Sequence, residues 1–191
     1  RRLWILDQLG ARGGVYNVPI TWRVHDAVDT PALEAAVRDV VIRHEALRTV
    51  FPAVDGTPVQ QVLDIDDVHV RADEHTVAPG DVQAALAAAI DHRFDLAAEL
   101  PVRLTILHAG TDTVVALVVH HIAVDEWSTK ALLADLAAAY TLRCAGEHPE
   151  LPPLPVQYTD FTLWQRELLG DPADPQSLAA RQRGYWQQTL A

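Results

Sequence analysis

The chemistry in this sequence is densest in one segment, Val118-Val-His-His-Ile-Ala-Val-Asp-Glu-Trp-Ser128. Imidazole titrates close to neutrality, so a histidine here can act as a general base or as an anchor for an amine. Along a strand, alternate side chains face opposite ways, so His120 and His121 must diverge. One looks into the sheet packing and the other outward, towards a cleft. Leaving a buried polar group unsatisfied costs on the order of 1–3 kcal/mol, so each ring needs a partner or solvent. Asp125 lies among Ala123, Val124 and Trp127, where a carboxylate requires an arginine or several N–H donors. Two readings stand together on spacing alone. One histidine works while Asp125 holds the loop, or two satisfied histidines end a strand and Asp125 is a cap.

Other chemistries fit the segment less well. His121 and Asp125 are four apart and could share a metal on a helix, but the segment reads as strand then loop, with no third ligand; no metal is expected. Ser128 could serve a Ser-His-Asp triad, yet there is no Gly-x-Ser-x-Gly elbow, and a helix cap accounts for it more simply. No glycine loop of the phosphate-cradling kind occurs. Arg43-His-Glu-Ala-Leu-Arg48 ends an earlier helix. Its basic residues suit a helix C-terminus, and Arg43 or Arg48 is a candidate partner for Asp125.

The elements that position these residues can be read from periodicity. Residues 15–24 contain Val, Ile, Tyr, Thr and Trp and predict a strand. Asp29 or Thr30 caps a helix with Pro31 in its first turn, and Leu33, Val37, Val40, Val41 and Leu47 follow at helical spacing. Asp55-Gly56 predicts a hairpin turn. Residues 68–72 form a weak strand, and Pro79 opens a helix towards Arg93. Strands at 102–107 and 113–120 flank a tight turn. Ser128 caps a third helix with an apolar stripe of Leu132, Leu133, Leu136, Ala139 and Tyr140, ending near Gly146. The stretch from Glu150 to Pro155 must be extended. Two helices close the chain, split by residues 170–175. The order predicts an α+β fold, with a mainly antiparallel or mixed sheet covered by helices.

Composition bounds the function. At 191 residues and 49% hydrophobic, the chain suits one domain with a core. A net charge of −11 argues against nucleic-acid binding, which needs a basic face. Cys144 is the single cysteine, so neither an internal disulfide nor a cysteine zinc cluster can form, which suits the cytoplasm. No apolar run approaches the roughly 20 residues that span a bilayer. The chain starts Arg1-Arg2-Leu3 without Met or a signal peptide, as an excised piece would.

The segment from His120 to Ser128 resembles the His-His-x-x-x-Asp-Gly-Trp-Ser motif of condensation domains from nonribosomal peptide synthetases. Three more matches keep that family's order. Residues 2–6, Arg-Leu-Trp-Ile-Leu, resemble the tail of its first motif. Arg43 to Phe51 matches Arg-His-Glu-x-Leu-Arg-Thr-x-Phe at every fixed position. Tyr158-Thr-Asp-Phe-Thr-Leu-Trp164 resembles Tyr-x-Asp-Tyr-x-x-Trp. Together they span nearly the whole chain.

The resemblance implies a chloramphenicol acetyltransferase-like fold, with residues 1–191 as the N-terminal of two lobes and the C-terminal lobe absent from this sequence. It implies that phosphopantetheine arms of donor and acceptor peptidyl carrier proteins enter a tunnel between lobes. There the acceptor amine attacks the donor thioester. No cofactor binds directly, and an adjacent adenylation domain is a further partner. His121 would orient or deprotonate the amine, with His120 supporting the loop. Asp125 would be structural, salt-bridged to Arg48, with Ser128 in support. Glu126 and Trp127 would be candidates to line the tunnel. Glu126 stands where the family usually has Gly, adding charge and bulk beside His121. This departure could mark a silent domain that recruits tailoring enzymes, but both histidines and Asp125 remain, which favours retained activity. Epimerization domains share the His-His-x-x-x-Asp motif, but the Arg43–Phe51 segment favours condensation. Residues 163–170, 177–181 and Tyr185-Trp186 resemble actinobacterial domains that join a D-configured donor to an L-configured acceptor. The lobe alone is expected to be inactive.

Overall fold

The computed structural model describes residues 2–9, 13–25 and 27–191, with the side chain of Arg2, part of the first motif, outside the description. The chain divides after Pro153 into two compact units. The first unit opens with helix α1 (Arg2–Gln8), which periodicity did not announce. Strand β1 (Asn17–Val24) follows, then helix α2 (Thr30–Arg43). Asp29 caps α2 by accepting from Ala32 N at 2.9 Å, and Pro31 sits in its first turn, where a missing N–H is harmless. The helix stops at Arg43, and Leu47 belongs to a separate 3₁₀ turn over Glu45–Arg48.

Four two-residue strands come next, β2 (Thr49–Val50), β3 (Ala53–Val54), β4 (Thr57–Pro58) and β5 (Gln61–Val62). β3 and β4 flank Asp55-Gly56, whose φ values of 51° and 73° are the pair of positive angles that a type I′ turn demands. The strand expected at 68–72 lies instead at β6 (Ala72–Thr76). Val68 is fully buried without being in a strand. Pro79 opens a 3₁₀ turn rather than the helix itself, and α3 (Val82–Ile90) ends before Arg93.

Strands β7 (Val102–Ala109) and β8 (Asp112–His120) complete a four-stranded sheet of order β1-β8-β7-β6. β8 pairs antiparallel with both neighbours, while β6 and β7 are parallel, as the α3 crossover between them allows. The sheet is therefore mixed. Helix α4 (Glu126–Cys144) packs beside α2 on one face. There Leu33, Val37, Val40, Leu132 and Leu136 meet Leu104, Ile106, Val115, Leu117 and Val119. The opposite face carries Ala116 and Val118 against Phe94, Leu96 and residues of α3. β8 is thus covered on both sides, which is why its sequence is a continuous apolar run rather than an alternation. Burying each such Val or Leu stabilises by about 1.5–3 kcal/mol. Two polar ties bind α2 to α4. Arg143 grips Asp39 with two bonds of 2.7 Å, and Asp135 takes Arg43 at 3.0 Å and His44 at 2.7 Å.

The second unit holds α5 (Tyr158–Leu169) and α6 (Leu178–Thr189), capped by Gln157 with Asp160 and by Ser177. Tyr158, Phe161 and Trp164 form an exposed ladder of rings on α5, with successive centroids 5.8 and 5.6 Å apart. Among the described residues, no helix is long and apolar enough to cross a membrane.

Candidate active site

The pleat of β8 separates the two histidines. Val114, Ala116, Val118 and His120 face one side, so His120 enters the layer around Phe94 and is only 2% exposed. The His120 backbone N–H donates to Pro101 O at 2.9 Å. Its Nδ1 accepts from the Ile122 N–H at 3.1 Å, which places the proton of the neutral ring on Nε2. Nε2 points at Asp7 of α1, 4.0 Å away. The Phe94 ring meets His120 edge-on at 5.9 Å, and Tyr16 lies on another side at 6.2 Å. Burial lowers the His120 pKa below its ordinary value; the Asp7 carboxylate opposes this shift, and the neighbouring His121 adds to it.

His121 is the first residue past the strand, and its side chain is exposed. Its backbone is not loose. His121 N donates to Tyr16 O at 2.7 Å, one step beyond the last ladder pair, Asn17 with His120. Ala123 N then donates to His120 O at 3.0 Å, turning the chain, and Val124 plugs into the α2–α4 core.

Asp125 is the N-cap of α4. Its Oδ1 accepts from Ser128 N at 2.8 Å and from the Ser128 hydroxyl, and Asp125 N donates back to Ser128 Oγ at 3.2 Å. This reciprocal box satisfies donors that the helix terminus would otherwise leave open. The Ser128 hydroxyl is the main reason that the Asp125 carboxyl is held below its usual pKa; the Ser128 N–H, the nearby His121 and the Trp127 N–H act the same way, against a small effect of burial.

This corrects the expected salt bridge. Arg48 does not meet Asp125. It pairs with Glu45 at 3.2 Å and donates to the carbonyls of Leu63 and Ile42, tying the 3₁₀ turn to β5. Arg43 goes to Asp135 and Pro152 O. The expectation assumed a partly buried carboxylate, whereas Asp125 is exposed at a helix end that supplies its own donors. Ser128, expected as the cap, is the third residue of α4 and the second member of the box. Glu126 and Trp127 occupy the first turn, both exposed, Trp127 at 89%. A carboxylate there suits the positive end of the helix dipole.

The loop and the first turn of α4 thus bring His121, Asp125, Glu126 and Trp127 to an exposed surface, while His120 is buried. Arg48 is not part of this group. Periodicity missed Tyr16 and Phe94, whose rings lie beside His120, and Asn17, its ladder partner; the only hint was Gly13-Gly14 just before a predicted strand. Among the described residues, no group of three or more His, Cys, Asp or Glu could hold a metal. An apolar cavity of about 250 Å³, lined by Trp22, Val24, Leu33, Leu136 and Tyr140, lies at the other end of β1, where Val24 pairs with Thr113. It is separate from the His121 loop.

The described fold is a mixed sheet with helices on both faces, and an exposed histidine follows its most buried strand. The Condensation domain family model matches residues 1–191, and the chain belongs to that family. It is 51% identical over its full length to the isonitrile lipopeptide synthase of Mycobacterium tuberculosis. It is 44% identical over its full length to the dimodular nonribosomal peptide synthase of Bacillus subtilis. It spans 8% of each of these relatives. The X-domain from teicoplanin biosynthesis matches the whole chain with a TM-score of 0.88 and 36% identity, the chain covering 41% of that structure. The complex of that X-domain with OxyB matches at 0.89 and 34%, with the same coverage. The fold is the chloramphenicol acetyltransferase-like lobe that the sequence motifs led us to expect.

Proposed function

We propose that residues 1–191 are the N-terminal lobe of a domain that forms peptide bonds in a nonribosomal peptide synthetase, with a second lobe closing the tunnel. Donor and acceptor reach it on the phosphopantetheine arms of two peptidyl carrier proteins in the cytoplasm, loaded by adenylation domains. The acceptor nitrogen attacks the donor thioester carbonyl, the C–N bond forms, the C–S bond breaks and the thiol leaves. His121 holds the amine, takes up its proton and passes it to the departing sulfur, and holding two reactants in line supplies several kcal/mol of barrier reduction. His120, Asp125 and Ser128 set the shape of the loop, and Glu126 and Trp127 line the acceptor path. The segments in α5 and α6 support a D-configured donor and an L-configured acceptor.

One observation carries this reading: His121 is exposed on a backbone anchored to Tyr16, while its neighbour is buried. The test is the complete synthetase with both carriers loaded. Amide product that disappears in His121→Ala supports the reading, and undiminished product overturns it. A racemised donor without amide would instead identify an epimerization domain.

A second reading rests on the X-domain likeness. That domain is known in complex with OxyB, and Glu126 here replaces the family's usual Gly. Under this reading the lobe recruits an oxygenase and makes no bond. Tight oxygenase binding with no turnover in the wild type would favour it.

A further inference from the structure

Behind the His121 loop lies a second layer of contacts that the proposed function leaves unused. Asn17 is half-buried at the start of β1 and shares the ladder pair with His120. Its side-chain amide has two N–H donors, and both are used: Nδ2 donates to Ile90 O at 2.6 Å and to His92 O at 2.8 Å. These carbonyls lie where α3 ends, without a glycine stop or a basic residue in its last turn. A helix end leaves its last carbonyls open, so the Asn17 amide caps α3 across the fold.

The preceding loop is interlocked with the same turn. Gly14 N donates to Asp91 Oδ1 at 2.8 Å, and Asn17 N donates to Gly14 O at 2.8 Å. Gly13 has φ +65°, and a Cβ there would fall 2.0 Å from Asp91 Oδ1. A Cβ on Gly14 would fall 2.4 Å from both Asn17 Nδ2 and Ile90 O. Glycine is needed for this close approach. The turn then leads into Phe94, which stacks edge-on against both His92 and His120.

We infer that Asn17 is a positioning residue for His121, joining the strand that anchors the His121 backbone to the turn that delivers Phe94 onto His120. On one side, residue 16 receives the His121 N–H. On the other, the Asn17 amide fixes the turn whose aromatic ring braces His120. Without that amide, two carbonyls lose their donors and the turn is tied to the segment before β1 only through Gly14 N and Asp91. His121 then shifts relative to a bound amine, although nothing touching substrate has changed. This rests on the reading of His121 as the reaction centre.

The test uses the complete synthetase with both carriers loaded. Asn17→Ala is expected to lower kcat by about 10–100-fold, the scale of an ångström misplacement. KM for each carrier-bound substrate stays within about twofold, because no substrate contact is removed. Circular dichroism must show the variant folded at the assay temperature. If it does not fold, Asn17→Ser, which keeps one donor, is measured instead, with the same split between kcat and KM expected. A wild-type kcat, or a loss matching the unfolded fraction, overturns the inference. His121→Ala run in parallel separates the two claims. If it is inactive while the Asn17 variants are normal, only the positioning role fails; if it turns over normally, both fail.

Discussion

The end of β8 and the loop that follows it place identical side chains in opposite surroundings. His120 completes the strand and is enclosed by Phe94, Tyr16 and Ile122, with both ring nitrogens directed at protein groups. His121, one residue on, keeps only its backbone tied and leaves its ring at the surface. The pleat alone makes this division. A strand buried on both faces has no other way to deliver a polar side chain to solvent than to end, and His121 is where it ends. The buried imidazole then serves as a wall, and the exposed one has the freedom to meet a ligand.

The largest test of this contrast is His121→Ala. Turnover is expected to fall by roughly 10²–10⁴-fold, the usual contribution of a positioned acid–base group, with thermal stability changing by less than about 0.5 kcal/mol. A large stability loss would mean that the ring is a packing element after all. His120→Ala is expected to do the reverse first, costing about 2–4 kcal/mol in denaturant unfolding, because it opens a cavity and strips the Ile122 N–H of its acceptor.

His120 also makes a pH signature. Its folded pKa lies below the ordinary 6.5 that it regains on unfolding. Below about pH 6.5 the unfolded chain takes up the proton first, so this contribution is fully present above that pH and is lost as pH falls. Unfolding free energies of the wild type are expected to drop more between about pH 7.5 and 5.5 than those of His120→Gln. An equal drop would place the titration elsewhere.

Asp125→Ala is expected to cost about 1 kcal/mol as a lost cap, with Asp125→Asn retaining most of it. A double-mutant cycle of Asp125→Ala with Arg48→Ala should show coupling within about 0.5 kcal/mol, since the two share no contact. A larger coupling would restore the salt bridge. The smallest effect belongs to Glu126→Gly, with a stability change under about 1 kcal/mol and amide synthesis retained.

Much of this arrangement was legible in the residues. The apolar run 114–119 announced its strand, Asp29-Thr-Pro31 announced the start of α2, and Asp55-Gly56 announced its turn, because each signal is local. The partner of Asp125 was not legible. A carboxylate among apolar residues fits a buried ion pair and a helix cap equally, and only the start of α4 at Glu126 decides between them. β6 was displaced because Ala-Asp-Glu-His-Thr has no strand signature. As a sheet edge it needs none, since its pairing with β7 is set by packing. The bracing of His120 by Tyr16 and Phe94 joins segments about a hundred and about twenty-five residues away in the chain, and no spacing rule reaches that far.

The pairing of β1 with β8 has a consequence for synthesis. Asn17 finds His120 only after about a hundred intervening residues have been made. At roughly 5–20 residues per second, the first strand waits on the order of 5–20 s for its partner to leave the ribosome. Throughout that interval Val18, Ile20 and Trp22 lack their sheet neighbour. Closing so long a loop is slow, which makes β1 a natural site for a chaperone to hold. Tyr16 can hold the His121 backbone only once residue 121 has emerged, so a chain stopped before that point lacks this anchor.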